Sequence, residues 1–237
     1  MNPHPGAFSV ALTTNGIDVP ADFPTGPYEN IHAIVAAKRS SHANYGHYAG
    51  ASNAVAYRFK AAIEYGDAFA LSLKTHSTAP APQGRYNQEK FLFGFFSSGF
   101  SVLESVFFEL FVLGAFVAPA KFPLATPQDQ QLVTPKRTLV AFTSAFPADP
   151  ILKTLTAVFA DPGYQAFRET RNILTHRAAP GRLMYVSIGS DDVPTADWKL
   201  NNLLLDDTIA SKGRGQLAHL ATVLLEGGAN FAVTQIK

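Results

Sequence analysis

Between Asn87 and Val117 the chain carries phenylalanine at positions 91, 93, 95, 96, 100, 107, 108, 111 and 116, with no proline to interrupt it. A helix this apolar on every face must be buried, either in a protein core or in a membrane. The stretch is longer than the about 20 residues a membrane span needs. Glu104 and Glu109 argue against lipid, because two mid-span carboxylates without partners cost several kcal/mol. Only Lys90 and Lys121 flank the segment as basic residues, too few to mark an orientation. The expectation is the central helix of a bundle, ended before Pro119, with no membrane partner. Phe95, Leu103, Phe107, Leu110 and Phe111 should lie in the core.

Gly94, Ser98, Ser101 and Ser105 recur along that helix at spacings of four, three and four. Such a small-residue stripe lets another helix approach closely. Charged residues make up only 16% of the chain, against about 25% in ordinary domains, so part of the surface is expected to be covered in a homodimer. The net charge of +1 provides no global attraction to nucleic acid. The absence of cysteine excludes disulfides, thiolate metal sites and a cysteine nucleophile, and fits a cytoplasmic protein.

Residues 1–27, rich in Pro, Gly and Thr and without Lys or Arg, read as an irregular N-terminal arm rather than a secretory signal. Residues 28–237 read as a single helical domain. Helices are expected from about Pro27 to Ser41 and from Ser52 to Lys74, separated by a Gly-, Tyr- and His-rich loop over 42–50. Thr138–Phe142 reads as a short strand or an apolar loop. Asp149-Pro150 opens a helix ending near Ala160. Leu183–Ile188 alternates as a strand and Asp191–Lys199 reads as turns. Leu203–Ile209 and Gln216–Glu226 read as closing helices, with a flexible turn at 211–215 between them. The fold class is therefore mainly all-α, with a small β excursion near 183–188.

The segment Arg168–Arg177, R-E-T-R-N-I-L-T-H-R, concentrates the polar chemistry. Asp161-Pro162 supplies an N-cap and a proline at the first helical position, and Pro180-Gly181 closes the segment. Phe167, Ile173 and Leu174 anchor the helix. Asn172 and His176 are four apart and share a face. Arg171 is five from His176, about 140° round the helix, so only its long side chain reaches the same side. Arg168, Arg171, Arg177 and Arg182 are opposed nearby only by Glu169, which makes a local basic patch suited to phosphate or RNA. The same charges also suit the C-terminal end of a helix.

Arg171-Asn172-Ile173-Leu174-Thr175-His176 resembles the R-x(4–6)-H motif of the HEPN superfamily, in which a polar residue often follows the arginine. The resemblance covers about ten residues and implies an all-helical, HEPN-like bundle. Catalytic members of that family are metal-independent endoribonucleases whose dimers bring two motifs into one cleft. It implies that Arg171, Asn172 and His176 are catalytic. Arg171 would hold the scissile phosphate, Asn172 would orient, and His176 would move protons as the 2′-hydroxyl attacks. Arg168, Arg177 and Arg182 would bind RNA.

The alternative is a non-catalytic HEPN-like module that binds a nucleotide or a protein partner, the motif serving the fold. In that case Arg171 pairs with a buried carboxylate. Glu104 is the candidate, since a buried carboxylate requires a cation such as Arg171 or Arg168; otherwise it reaches a solvated edge. No cofactor is expected. His32, His42 and His47 lack the carboxylate or thiolate neighbours of a metal site. Ser211–Gly215 lacks the order of a phosphate loop.

Overall fold

The computed structural model describes residues 7–8, 17–177, 179–185, 195–200, 203–206 and 208–237. After a two-residue pair of strands, β1 (Ala7–Phe8) and β2 (Ile17–Asp18), come α1 (Thr25–Arg39), α2 (Tyr45–His76), α3 (Pro82–Val117), α4 (Pro127–Gln131), α5 (Pro135–Ala145), α6 (Ile151–Ala160) and α7 (Pro162–His176). The antiparallel strands β3 (Gly181–Tyr185), β4 (Thr195–Leu200) and β5 (Leu203–Leu204) then form one sheet in sequence order, and α8 (Thr208–Gln235) follows. The fold is all-α in class, with eight helices among the described residues.

The phenylalanine-rich segment is α3, and it lies against α2, α5, α7 and α8. Phe95, Leu103, Phe107, Leu110 and Phe111 are each at most 1% exposed, as their density in the sequence requires. By length and composition α3 is also able to cross a membrane, yet 78% of its most apolar window is buried inside the protein. Other helices of the same chain stand where lipid would. The small-residue stripe is likewise used within the chain. Of its members, Gly94 would put a Cβ within 2.6 Å of the Tyr65 ring of α2, and Ser101 and Ser105 accept from Arg58 of α2 through carbonyl and hydroxyl.

Four stretches differ from their sequence expectation, and in each a tertiary contact overrides local propensity. The loop expected over 42–50 is helical from Tyr45 onward. There Tyr48 is fully buried, stacked near Tyr45 and His32 and tilted toward Phe116. Thr138–Phe142 lies inside α5, not in a strand or loop. Thr134 caps α5 by accepting the Arg137 N–H, Pro135 takes its first turn, and Thr138 and Phe142 bury one face four residues apart.

The turn expected at 211–215 is the second turn of α8. Gly213 lets the Phe95 ring approach to 2.7 Å of where its Cβ would be. Arg214 makes a bidentate pair with Asp22, at 2.7 and 2.8 Å. Thr195–Lys199, expected as turns, belongs to β4, and Leu203–Leu204 pairs with it as β5 rather than beginning a helix. Trp198 explains the pairing. Its ring is fully buried against Phe69 and under the Arg182 guanidinium, so β4 is held by its side chain as much as by its ladder. Val186–Ile188 and Asp191–Pro194 lie outside the described residues. The end of the N-terminal arm is docked: Phe23 is buried edge-on against Tyr28 and Phe59.

Candidate functional site

Helix α7 begins as its sequence announces. Asp161 Oδ1 accepts the Tyr164 N–H at 3.0 Å and also the Gln216 amide of α8 at 2.8 Å, so the cap ties two helices together. Tyr164, Phe167, Thr170 and Ile173 are buried. Phe167 lies 4.9 Å from Phe96 and 5.7 Å from Phe95, ring centre to ring centre. Burial pushes the Tyr164 phenol up to about 12.

This docking places Arg171 against α3. Its guanidinium sits 4.4 Å from the Phe100 ring centre. Nη2 donates to Glu104 Oε1 at 2.6 Å and Nη1 donates to Asn172 Oδ1 at 3.1 Å. Of the two arginines the sequence offered to Glu104, Arg171 is the partner. The pair is only partly sheltered, with side-chain exposures of 19% for Arg171 and 39% for Glu104. Asn172 is thus a neighbour of Arg171, not a bridge to the imidazole. His176 is the last residue of α7 and is exposed, and its imidazole has no hydrogen-bond partner among the described residues.

The remaining arginines do not pool into one patch. Arg177 is exposed and paired with Glu169 at 2.7 Å. Arg168 is exposed and has no carboxylate partner among the described residues. Arg182 is elsewhere, on β3. Its guanidinium lies 3.6 Å from the Trp198 ring centre, donates to the Thr78 carbonyl and Gln88 Oε1, and stands 3.7 Å from Glu89. Burial lowers its pKa, against the opposing pull of Glu89. Three of the four cations named from the sequence therefore have a carboxylate beside them.

Two polar features were not singled out as sites from the sequence. Arg58 of α2 donates to the Ser101 carbonyl and the Ser105 hydroxyl of α3, partners 43 and 47 residues away. No local pattern announces a contact of that range. Glu109 is fully buried in α3, and neither carboxylate oxygen has a hydrogen-bond partner among the described residues. Burial raises its pKa to about 8, so it is mostly protonated at neutral pH. Its charged form in turn raises the phenols of Tyr28 and Tyr48, which burial has already raised.

The histidines weighed for metal are used in packing: His42 edge-on to Phe116, His32 beside Tyr48, His47 against Gln130. Among the described residues no three His, Cys, Asp or Glu side chains gather closely enough to hold a metal ion.

Fold and site together define a mainly helical bundle whose α3 and α7 are joined by an arginine–carboxylate pair set on an aromatic ring. No family model matches the chain, and no curated protein and no solved structure matches it significantly.

Proposed function

We propose that this chain is a non-catalytic, HEPN-like binding module, in which the Arg171–His176 segment serves the fold. The observation that carries this reading is the commitment of Arg171. Its guanidinium is taken by Glu104, Asn172 and Phe100 of its own chain. A phosphate-holding arginine needs its donors free for the scissile group. The reading includes a cytoplasmic setting and a small phosphate-bearing ligand. Self-association is part of it, supported by the exposed apolar side chains Leu183, Met184, Tyr185 and Leu204 of the sheet.

Two measurements test it. Arg171→Ala should lower the melting temperature, and the wild-type protein should leave RNA uncut in a gel assay with and without EDTA. Cleavage that disappears in both Arg171→Ala and His176→Ala proteins of unchanged stability would overturn it.

The second reading, a metal-independent endoribonuclease acting as a homodimer, is favoured by one observation: the exposed, unbonded His176 at the end of α7. In that reading a second copy of the chain completes the site. The double variant should then lose little more activity than either single one. Sedimentation giving a monomer across micromolar concentrations would remove the dimer from both readings.

A further inference from the structure

The sequence places Gly50, Ala54 and Arg58 four apart, on one face of α2. On α3, Glu104 and Phe108 are also four apart and face the same gap. With Val133, Thr134 and Pro135 leading into α5, these residues line a cleft of about 400 Å³. That volume falls within the roughly 300–1,000 Å³ of small-molecule sites. The floor is kept low by its small residues, and a Cβ built on Gly50 would meet nothing within 4 Å.

The charge in this cleft is unbalanced. The Ser105 hydroxyl donates its hydrogen bond to the Ser101 carbonyl at 2.7 Å, so its lone pairs are turned to the Arg58 guanidinium. Only Nη1 of Arg58 is engaged, and no carboxylate pairs with it among the described residues. The Nη2 and Nε edge of the fork is left for a bidentate anion, for which phosphate is the matching shape. Lys136 and Arg137, next in the chain after Pro135, also have no carboxylate partner among the described residues. Among the described residues Glu104 is the one carboxylate lining the cleft, and Arg171 already offsets its charge through Oε1. Its second oxygen remains an acceptor for a ligand N–H or O–H.

We propose that this cleft binds a nucleoside monophosphate, with the phosphate on Arg58, a donor of the nucleoside on Glu104 and the flat base against Ala54 and Phe108. The proposal rests on the reading of the chain as a binding module and names its ligand. Each part of the ligand answers one wall: an anion for the free guanidinium edge, a donor for the half-used carboxylate, and an apolar plane for the alanine floor.

Isothermal titration of the full chain with AMP, CMP, GMP and UMP tests it, with inorganic phosphate and adenosine as controls. At least one nucleotide should bind at sub-millimolar Kd, and more tightly than either control. Arg58→Gln should weaken that binding about tenfold or more. Gly50→Phe, which fills open space on a helix, should abolish it while the circular-dichroism melt stays as in the wild type.

Absence of binding by all four nucleotides at millimolar concentration would overturn the proposal. So would binding that both variants leave unchanged, or inorganic phosphate binding as tightly as any nucleotide. The melt of Arg171→Ala and the RNA gel read the motif separately, so failure of the cleft and failure of the module reading are distinguishable.

Discussion

Glu104 and Glu109 sit five residues apart on the same helix, yet they live in opposite environments. Glu104 keeps contact with water and has Arg171 at 2.6 Å, held over Phe100. Glu109 has no exposure and no partner for either oxygen among the described residues, and burial moves its pKa to about 8. Five residues turn a helix by about 140°, which on α3 is the difference between the edge facing α7 and the buried side. A carboxylate at the edge stays within reach of water and of a cation. One in the interior gives its charge up, because protonation costs less than an isolated buried anion. Within five residues α3 therefore carries one carboxylate paired with a cation and one that stays neutral until the pH is raised.

The apolar frame common to both residues should show the largest effect. Phe107 is fully buried and lies 5.5 Å from Phe159 and 6.3 Å from Tyr164, between ring centres. Phe107→Ala should cost about 3–5 kcal/mol in a denaturant titration. A loss below about 1 kcal/mol would mean that α3 is not the core on which both carboxylates depend.

The next effect is a pH dependence that belongs to Glu109. Its carboxyl titrates near 4.5 when free and near 8 in the folded protein. Between those values the folded state holds a proton that the unfolded chain has released. The contribution of this group is therefore fully present below about pH 4.5, falls as pH rises, and levels off above about pH 8. The slope within that window is at most about 1.4 kcal/mol per pH unit. Comparing wild type with Glu109→Gln isolates it from other groups. The variant should gain on the wild type steadily from pH 5 to pH 8. Parallel stability curves would mean that Glu109 finds a partner or water.

Removing the other carboxylate's partner should have a smaller effect. Arg171→Ala deletes an ion pair and a ring contact, but both charges are partly solvated, so a loss of about 1–3 kcal/mol is expected. Glu104→Gln in the same background should restore part of it, and a double-mutant cycle measures the coupling. Additive losses would show that Arg171 stabilises α7 by packing on Phe100 alone. The exposed pair Arg177–Glu169 sets the lower end of the scale. Arg177→Ala should change stability by less than about 0.5 kcal/mol despite its 2.7 Å contact.

How much of this was legible in the chain depends on the range of the contact that decided it. The Asp161-Pro162 start of α7 was readable because the cap acts within three residues. The same chemistry at Thr134-Pro135 went unread because the apolar run that follows also fits a strand. At Glu104 the cost of burying a carboxylate narrowed its partner to Arg168 or Arg171, 67 residues away in the latter case. No local pattern pointed to Arg58 between Ser101 and Ser105, or to Arg182 leaving its neighbours to lie over Trp198.

Sequence alone determined that α3 is buried, that the chain is built from helices, and where α7 begins. Those outcomes follow from apolar density and from hydrogen bonds between residues a turn apart, which act wherever the segment ends up. Tertiary structure decided which of four arginines keep an unopposed charge, which glutamate is neutral, and whether a glycine-containing stretch such as 211–215 is turn or helix. Each of these depends on the desolvation and close approach of groups brought together by other helices, and neither is a property of the local chain.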